Sequence, residues 1–353
     1  MANSLAVSRR PSGFSLVEIM VAMAIGMLGI LIIMQVFLTF QGQKRTTSGA
    51  ADAQENGLIA LHTLERDIRM SGLGVMGLGG CTTINAYNAN ATPQNYVFST
   101  LPIVIAQDTP AAGTDRLTTL YSTSSFAAIP TKITSPMPTS SAILNVDSGE
   151  GYVEGNLFII SEPGKPCVIA QMSQDGQKTG STWDLQHNPG GTFPFNPSGG
   201  LNTPPFPVGG YGGGAKITNM GSMTNLEYYV ENEKLMVRDV NLPNSATNPV
   251  ALVEGIFAIK AQYGRDTGVD GYVDVFDNTT PAEPERLVAL RVAVVARAGT
   301  IERGQNVSPA TLVLWSGGTV ANGGAIALSS ANREYRFRVY QTVIPLRNVI
   351  WTN

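Results

Sequence analysis

Histidine, cysteine and charge are scarce in this chain of 353 residues. It has two histidines and two cysteines, and only 14% of its residues are charged. Neither His62 nor His187 belongs to a recognisable nucleophile–base motif, and two cysteines without neighbouring histidines are too few for a zinc site. The glycine-rich segment 209–214 lacks the Lys-Ser/Thr pair of a phosphate-binding loop. The sequence therefore predicts that this protein is not an enzyme.

Basic residues are not in excess either. The 23 lysines and arginines are outnumbered by 26 aspartates and glutamates, for a formal net charge of −3, so the chain has no general attraction for nucleic acid. Arg336 and Arg338 share one face of a predicted late strand. A DNA-binding strip is one interpretation of this pair. A solvated face of an edge strand is the favoured one, because exposed charge there blunts edge-to-edge pairing.

Glycine and proline, by contrast, are abundant. The chain has 38 glycines and 21 prolines, a composition that suits a β-rich protein with long loops better than a helical one. Both residue types are densest in the segment 188–214. We expect this segment to be an exposed loop that forms no packed element.

One long apolar segment stands apart from the rest of the sequence. Residues 14–40 contain a single charged residue, Glu18. As a helix this segment would be roughly 40 Å long, which is enough to cross a bilayer. A carboxylate near the centre of a membrane costs at least about 2.5 kcal/mol, so we expect Glu18 to have a partner for its charge.

Two ordinary explanations of this apolar segment compete. A secretory signal would use Ala22-Met23-Ala24 as its cleavage site, but the apolar run continues well beyond that point. A plain signal anchor explains the length and would keep Arg9 and Arg10 in the cytoplasm. Neither explanation accounts for Glu18.

The stretch Gly13-Phe14-Ser15-Leu16-Val17-Glu18 resembles the processing site of the type IV pilin superfamily. The resemblance implies that a prepilin peptidase removes residues 1–13 as a leader, cuts between Gly13 and Phe14, and methylates the new amine of Phe14. It also implies that Glu18 neutralises the N-terminal amine of a neighbouring subunit during assembly.

A second, amphipathic helical segment follows the apolar one. Leu58, Leu61, Leu64 and Ile68 fall on helical spacing within residues 41–72. Glycines at the end of this stretch are a helix stop signal. We therefore predict one N-terminal helix over 14–72, apolar in its first part, 14–40, and amphipathic in its second.

Strand patterns dominate the remainder, residues 73–353, which we predict to be one β-rich globular domain. The predicted strands are 152–160, 167–172, 226–230, 235–240, 257–263, 287–297 and 335–344. The strands 226–230 and 235–240 are close in sequence. We predict that 226–240 is a hairpin that turns at Glu231-Asn232-Glu233.

The two cysteines are expected outside the cytoplasm, because the N-terminal signal sends everything after the apolar segment across the membrane, where thiols oxidise. One disulfide between Cys81 and Cys167 is the simplest interpretation, and two isolated buried thiols are the alternative. Loop-closure entropy gives such a bond roughly 4–5 kcal/mol.

Features at both ends of the chain resemble those of one subgroup within the pilin superfamily. The helix end at 67–72, the cysteine at the end of 79–81, the late strand 290–297 and the ending 343–348 are similar to those of the large minor pilins of the PilW kind. J-type pseudopilins of type II secretion are built alike. The resemblance implies a type IV pilin-like α+β fold, in which a long N-terminal helical spine packs on a C-terminal antiparallel β-sheet domain with long loops.

The same resemblance implies a function in assembly. It predicts a minor pilin that primes the type IV pilus and is incorporated at or near its tip. The implied partners are other minor pilins, the major pilin, a tip adhesin, the inner-membrane assembly platform and the prepilin peptidase. The chain would first be a single-pass inner-membrane protein with a periplasmic domain, and then part of a surface pilus. A type II secretion pseudopilin and a membrane-anchored, calcium-dependent adhesive module are the alternatives.

One acidic stretch late in the chain has the spacing of a calcium loop. An EF-hand supplies oxygen ligands from positions 1, 3, 5, 7, 9 and 12 and has glycine at position 6. Here Gly271 is at position 6, while Gly268 leaves position 3 without a side-chain ligand. The candidate calcium ligands are Asp266, Asp270, the Tyr272 carbonyl, Asp274 and Asp277. An acidic β-turn without metal is the alternative, and no other cofactor is expected.

Overall fold

The computed structural model describes residues 13–350, except 77, 79–80, 82, 92, 108–112, 128, 138–142, 190–191, 201–206, 208 and 241–248. The basic pair of the predicted leader, Arg9 and Arg10, lies outside the described residues. So do Gly79 and Gly80 beside the first cysteine, and part of the predicted loop 188–214. The chain forms two compact units, Met1–Ala51 and Asp52–Asn353.

The first unit is helical. Helix α1 begins at Leu16 and, continuing into the second unit, ends at Met70. The apolar side chains of residues 14–40 are exposed throughout, Phe14 by 81%. Among the described residues, α1 is the helix that is both long enough and apolar enough to cross a membrane. A surface this apolar is unfavourable in water and suits a lipid environment, so the predicted membrane-spanning helix is confirmed.

The second unit contains the end of α1 and a large set of strands. In its first half the described strands are β1 (Thr83–Tyr87), β2 (Asn95–Ser99), β3 (Ile103–Ala106), β4 (Arg116–Tyr121), β5 (Thr131–Lys132), β6 (Ile143–Val146), β7 (Leu157–Ser161), β8 (Cys167–Gln171), β9 (Gln177–Thr179), β10 (Thr182–Gln186) and β11 (Lys216–Gly221). In its second half they are β12 (Thr224–Glu231), β13 (Lys234–Asp239), β14 (Val250–Glu254), β15 (Ile256–Arg265), β16 (Val275–Asp277), β17 (Leu287–Ile301), β18 (Thr311–Val313), β19 (Ala325–Ala327) and β20 (Tyr335–Pro345), followed by the short helix α2 (Arg347–Ile350).

These strands form sheets of different sizes. A four-stranded sheet has the order β16-β15-β17-β20, and a five-stranded sheet the order β14-β13-β12-β4-β3. A six-stranded sheet, β2-β1-β8-β7-β11-β5, a three-stranded sheet, β6-β10-β9, and the hairpin β18-β19 complete the described set. Neighbouring strands are antiparallel except β1 and β8, which are parallel. The predicted α+β fold with a helical spine and a β-sheet domain is therefore confirmed.

The four-stranded sheet is covered on both faces. Alternate residues of β17, such as Val292 and Val294, belong to the core that also contains α1. The residues between them, such as Ala293 and Val295, pack with the β18-β19 hairpin. A strand buried on both faces has an almost continuous apolar sequence. This explains why the predicted strand 287–297 was recognisable from sequence alone.

Small residues, rather than leucines, line much of the buried face of α1. Ala53 and Ala60 are buried with Leu64, whereas Leu58 is 49% exposed. Leu58, which shares helical spacing with Leu64 in the sequence, therefore lies outside the buried face. The reason is close approach: a Cβ on Gly57 would lie 2.3 Å from the ring of Tyr340, so at this point only a glycine lets the helix reach the sheet.

The last turn of α1 is fixed to the five-stranded sheet by a buried carboxylate. Asp67 is only 2% exposed and accepts a hydrogen bond from the hydroxyl of Tyr228 on β12. Arg66 Nε donates to the other side of the same carboxylate at 2.9 Å. Burial and the neighbouring Asp67 raise the pKa of Tyr228 well above its ordinary value. These contacts stabilise the negative charge, because a buried carboxylate needs paired donors.

The five-stranded and four-stranded sheets are joined by a second buried pair. Lys260 Nζ on β15 lies 2.8 Å from Asp115 Oδ1, with side-chain exposures of 7% and 1%. The other carboxylate oxygen accepts a hydrogen bond from the amide of Ala261 at 2.9 Å. Asp115 immediately precedes β4, so this pair ties the start of one sheet to the middle of the other.

The middle of the chain forms separate cores around the six-stranded and three-stranded sheets. Two predictions there need correction. The predicted strand 152–160 begins only at Leu157, because the preceding residues turn around Gly155 at a φ of 84°. The segment 188–214 is not simply an exposed loop: Phe195 and Tyr211 are buried, and the Tyr211 hydroxyl donates to the Pro166 carbonyl at 2.9 Å.

The predicted hairpin over 226–240 is confirmed. Strands β12 and β13 pair up to Glu231 and Lys234, and the two residues between them, Asn232 and Glu233, have φ values of 49° and 59°. Two consecutive residues with positive φ make the type I′ turn, whose twist matches that of the paired strands.

Candidate functional site

The N-terminal candidate site is a short extended segment that leads into α1. Residues 13–15 have no regular secondary structure, and the helix begins at Leu16. The Ser15 hydroxyl accepts a hydrogen bond from the Val17 amide at 3.3 Å. In return, the carboxylate of Glu18 accepts one from the Ser15 amide at 3.4 Å. This reciprocal pair is a capping box, which satisfies backbone donors that a helix start leaves unpaired.

The capping box gives Glu18 a contact that we did not predict. The signal was present in the sequence as Ser15-Leu16-Val17-Glu18, the S-x-x-E spacing of such boxes. A negative charge in the first turn also interacts favourably with the helix dipole. Glu18 therefore has local partners within its own chain, while its side chain stays exposed.

The predicted disulfide between Cys81 and Cys167 is confirmed, with a Cα–Cα distance of 5.9 Å and a sequence separation of 86. Cys167 is the first residue of β8 and is buried among apolar side chains. Strand β1 follows Cys81 closely and pairs with β8, Ile84 opposite Cys167. The bond therefore holds the segment that leaves the helix against the six-stranded sheet.

In the acidic loop, the first predicted calcium ligand contacts backbone amides. Asp266 is buried, and its carboxylate accepts hydrogen bonds from the amides of Val269 and Gly271 at 2.6 and 2.8 Å. These amides, with that of Asp270, hold the pKa of Asp266 below its ordinary value. Asp270 itself accepts from the amide of Tyr272 at 3.0 Å. The carboxylates thus stabilise the turn.

The two other predicted carboxylate ligands, Asp274 and Asp277, are also engaged within the chain. Asp274 accepts hydrogen bonds from the hydroxyl and amide of Thr267 and from the amide of Gly268, which lower its pKa. Asp277 is paired with Arg265, which lowers the pKa of that carboxyl. Within the described ranges, the histidines, cysteines and acidic residues form no cluster of three that could hold a metal ion. The structure therefore favours an acidic turn over a calcium loop.

The two histidines lie in different surroundings, and neither is near a nucleophile motif. His62 is exposed on α1. His187 directly follows β10, is 2% exposed and packs against the ring of Phe158 with centroids 6.3 Å apart. Burial disfavours the charged imidazole and lowers the pKa of His187 to about 4.

The arginines of β20 behave as residues of an edge strand. Arg336 is exposed and its Nε lies 2.6 Å from the Glu302 carboxylate. On the other face of the strand, Phe337 and Val339 pack against the β18-β19 core. An arginine paired with a carboxylate is a poorer phosphate ligand, so the contact of Arg336 favours the solvated face of an edge strand over a DNA-binding strip.

Comparison with known families supplies two matches, one at each end of the chain. Residues 8–34 match the family model described as the Prokaryotic N-terminal methylation motif. Residues 223–348 match the model described as Type IV Pilus-assembly protein W. The first includes Gly13, Phe14 and Glu18, and the second includes the whole four-stranded sheet. No curated protein and no solved structure matches the chain.

These matches confirm the resemblance to type IV pilins and to their large minor pilins. The apolar exposed helix with a methylation motif is that of a protein anchored in the inner membrane with its globular domain in the periplasm. The disulfide agrees with that oxidising compartment. With a prepilin motif at one end and a segment similar to the pilus-assembly family at the other, the chain is similar to PilW-like minor pilins of the type IV pilus.

Proposed function

We propose that this protein primes assembly of a type IV pilus and is incorporated at or near the pilus tip. The observation that carries the proposal is the joining, in one chain, of a prepilin methylation motif, an exposed apolar helix and a PilW domain. An exposed apolar helix is stable only in lipid or packed against other apolar surfaces. Assembly would move it from the membrane into the core of a filament.

We further propose the division of the chain that this function requires. Residues 1–13 are a leader, 14–72 a spine with 14–40 in membrane or filament core, and 73–353 the globular head. The prepilin peptidase cuts between Gly13 and Phe14 and methylates Phe14. The absence of regular secondary structure at 13–15 and the exposure of Phe14 support access to this bond. Intact-mass measurement of membrane-extracted protein tests it, and a mature chain starting after Ala24 would contradict it.

In this proposal, Glu18 exchanges partners during assembly. In the subunit its carboxylate contacts the Ser15 amide. In the filament it pairs with the methylated amine of a neighbouring spine, which requires the two helices to be offset along their axes. A buried ion pair contributes little net stability, but it fixes register because any other offset leaves a charge unpaired.

Three variants separate the charge of Glu18 from its role in capping. Glu18→Gln retains an acceptor suited to a capping box but loses the charge. Glu18→Ala loses both, whereas Ser15→Ala loses only the hydroxyl that accepts from the Val17 amide and retains the charge of Glu18. We expect both Glu18 variants to reduce pili per cell and co-purified minor pilins several-fold, whereas Ser15→Ala keeps near wild-type values. Near wild-type values in Glu18→Gln, with a defect in Ser15→Ala and Glu18→Ala, would assign the effect to capping and contradict the proposed exchange.

The proposed partners are other minor pilins, the major pilin, a tip adhesin, the inner-membrane platform and the prepilin peptidase. Deletion of the gene, scored for surface pili and for secreted proteins in the same strain, distinguishes this function from that of a type II secretion pseudopilin. We expect pili to be lost and secretion to continue. Normal piliation with lost secretion would overturn the proposal.

A further inference from the structure

An arginine on β17 lies over two aromatic rings. The guanidinium carbon of Arg291 lies 4.0 Å from the centroid of the Phe276 ring and 5.5 Å from that of the Trp315 ring. Phe276 belongs to β16, and Trp315 follows β18. The rings attract the cation through their π faces and restrict the position of the guanidinium.

The charge of Arg291 has no counter-ion in the described part of the protein. The acidic residue on the neighbouring strand, Asp277, is already paired with Arg265. Across the described ranges, no carboxylate forms an ion pair with Arg291 and none of its N–H groups donates to a protein acceptor. A guanidinium carries five N–H donors, and those of Arg291 are available to a ligand.

Two adjoining cavities give a ligand access to this guanidinium. Their volumes are 460 and 390 Å³, and Arg291, Trp315 and Ser316 line both. The larger cavity is also lined by Gln262 and Asn278. The smaller is bounded by β20 residues. Either volume is sufficient for a small organic group.

One residue that lines the larger cavity carries an unpaired buried acceptor. Asn278 Oδ1 is a buried acceptor without a hydrogen-bond partner in the described chain. The amide nitrogen of Asn278 lies 3.4 Å from the Asn322 carbonyl. A buried polar atom left unpaired is unfavourable, so a donor on the ligand would be favoured there.

We propose that Arg291 anchors a binding site for a carboxylate that carries a neighbouring hydrogen-bond donor. The guanidinium edge binds the two carboxylate oxygens, a geometry that arginine and carboxylate share. The donor pairs with Asn278 Oδ1. Trp315 is only 6% exposed and has Arg291 over its ring, so the ring serves to position the guanidinium rather than to stack with the ligand.

Two sources supply this chemistry: a peptide carboxylate beside an amide N–H, and a uronic acid beside hydroxyls. N-acetylglycine represents the first and glucuronate the second. Inorganic phosphate tests whether the site accepts oxyanions of another shape. The full chain in non-ionic detergent is titrated with each, and the fluorescence of Trp315 is followed in a Trp183→Phe, Trp351→Phe background, since the chain has three tryptophans.

We expect a saturable change with at least one carboxylate, and the one that binds more tightly identifies the source. Arg291→Gln should weaken binding at least about tenfold, and Arg291→Lys by an intermediate factor, because lysine retains charge but not the bidentate edge. Asn278→Asp should also weaken binding, because it places a like charge in the cavity. Arg338→Gln is the matched control on the same sheet, because Arg338 is exposed and lines neither cavity, and this variant should bind within about twofold of the parent.

Several outcomes would contradict the proposed carboxylate site. No saturable change with either carboxylate, or phosphate binding more tightly than both, would overturn the proposal. So would an equal loss in Arg338→Gln. If Arg291 only attached the β18-β19 segment to the sheet, its variants would lower the thermal unfolding temperature, and Asn278→Asp and Arg291→Lys would have no effect on binding. Should Arg291→Gln fail to fold, these two variants still decide the question.

Discussion

The four-stranded sheet and the six-stranded sheet differ in what stabilises them. The first has the long strands β15, β17 and β20, each paired antiparallel with its neighbour over most of its length. The second has short strands, a parallel pair and a disulfide across that pair. Long strands buried on both faces are stabilised mainly by apolar burial. A sheet of short strands from distant parts of the chain depends more on individual links.

Removal of the disulfide tests this difference between the two sheets and should have the largest effect on stability. Replacing Cys81 and Cys167 by serine opens a loop whose ends are 86 residues apart, so we expect a loss of roughly 4–5 kcal/mol in the free energy of unfolding. The loss should be concentrated in the six-stranded sheet. Hydrogen exchange read by segment measures it. Equal loss of protection in β17 would contradict the independence of the two sheets.

The next test uses pH and the buried His187. Its folded pKa of about 4 is below the unfolded value of about 6.5, so between these values the unfolded chain binds the extra proton. The contribution is complete above pH 6.5 and is lost as the pH falls towards 4, by about 3 kcal/mol. Denaturant unfolding at pH 7 and pH 4 in the parent and in His187→Phe measures this difference.

Substitution of the exposed His62 by glutamine is the matched control, because its imidazole is outside the core. We expect the pH dependence of unfolding to be unchanged in this variant and reduced in His187→Phe. If both variants retain the full acid sensitivity, the buried histidine is not its source.

A smaller effect tests the packing of α1 on the four-stranded sheet. In Gly57→Ala the new Cβ would meet the Tyr340 ring, and overpacking of this kind costs about 1–3 kcal/mol. In Gly42→Ala, where no atom lies within 4 Å, the same change should not destabilise the protein. Thermal unfolding of the two variants compares them, and equal stability would mean that the helix does not need this close approach.

The smallest expected effect concerns calcium. Because Asp266 and Asp274 already accept several hydrogen bonds within their own turn and Asp277 is paired with Arg265, we expect millimolar calcium or a chelator to leave the unfolding temperature unchanged. A calcium-dependent rise, absent in Asp274→Asn, would restore the calcium-loop interpretation.

Sequence reasoning succeeded where a pattern is local. The apolar helix, the hairpin over 226–240 and the near-continuous apolar run of β17 each follow from the spacing of neighbouring residues. The capping box of Ser15 and Glu18 could also have been found in this way.

What sequence reasoning missed depends on distant residues. Gly57 is buried, and Leu58 exposed, because of Tyr340, which is far away in the chain. Tyr211 is buried in a glycine- and proline-rich segment because the core around β7 and β8 has room for its ring. The stacking of Arg291 on Phe276 and Trp315 likewise requires three segments to meet, and no spacing within one segment predicts it.

The capping contact of Glu18 also bears on whether assembly can run backwards. A carboxylate that already has a donor in its own helix, the Ser15 amide, does not enter the filament from an unpaired, high-energy state. On the proposed function, each subunit leaves the membrane by trading one partner for another, so the carboxylate has a donor in both locations. The cap therefore offers the carboxylate a partner in either direction of the step. A subunit drawn back into the bilayer can close its cap again, and the same spine is then ready for another round of growth.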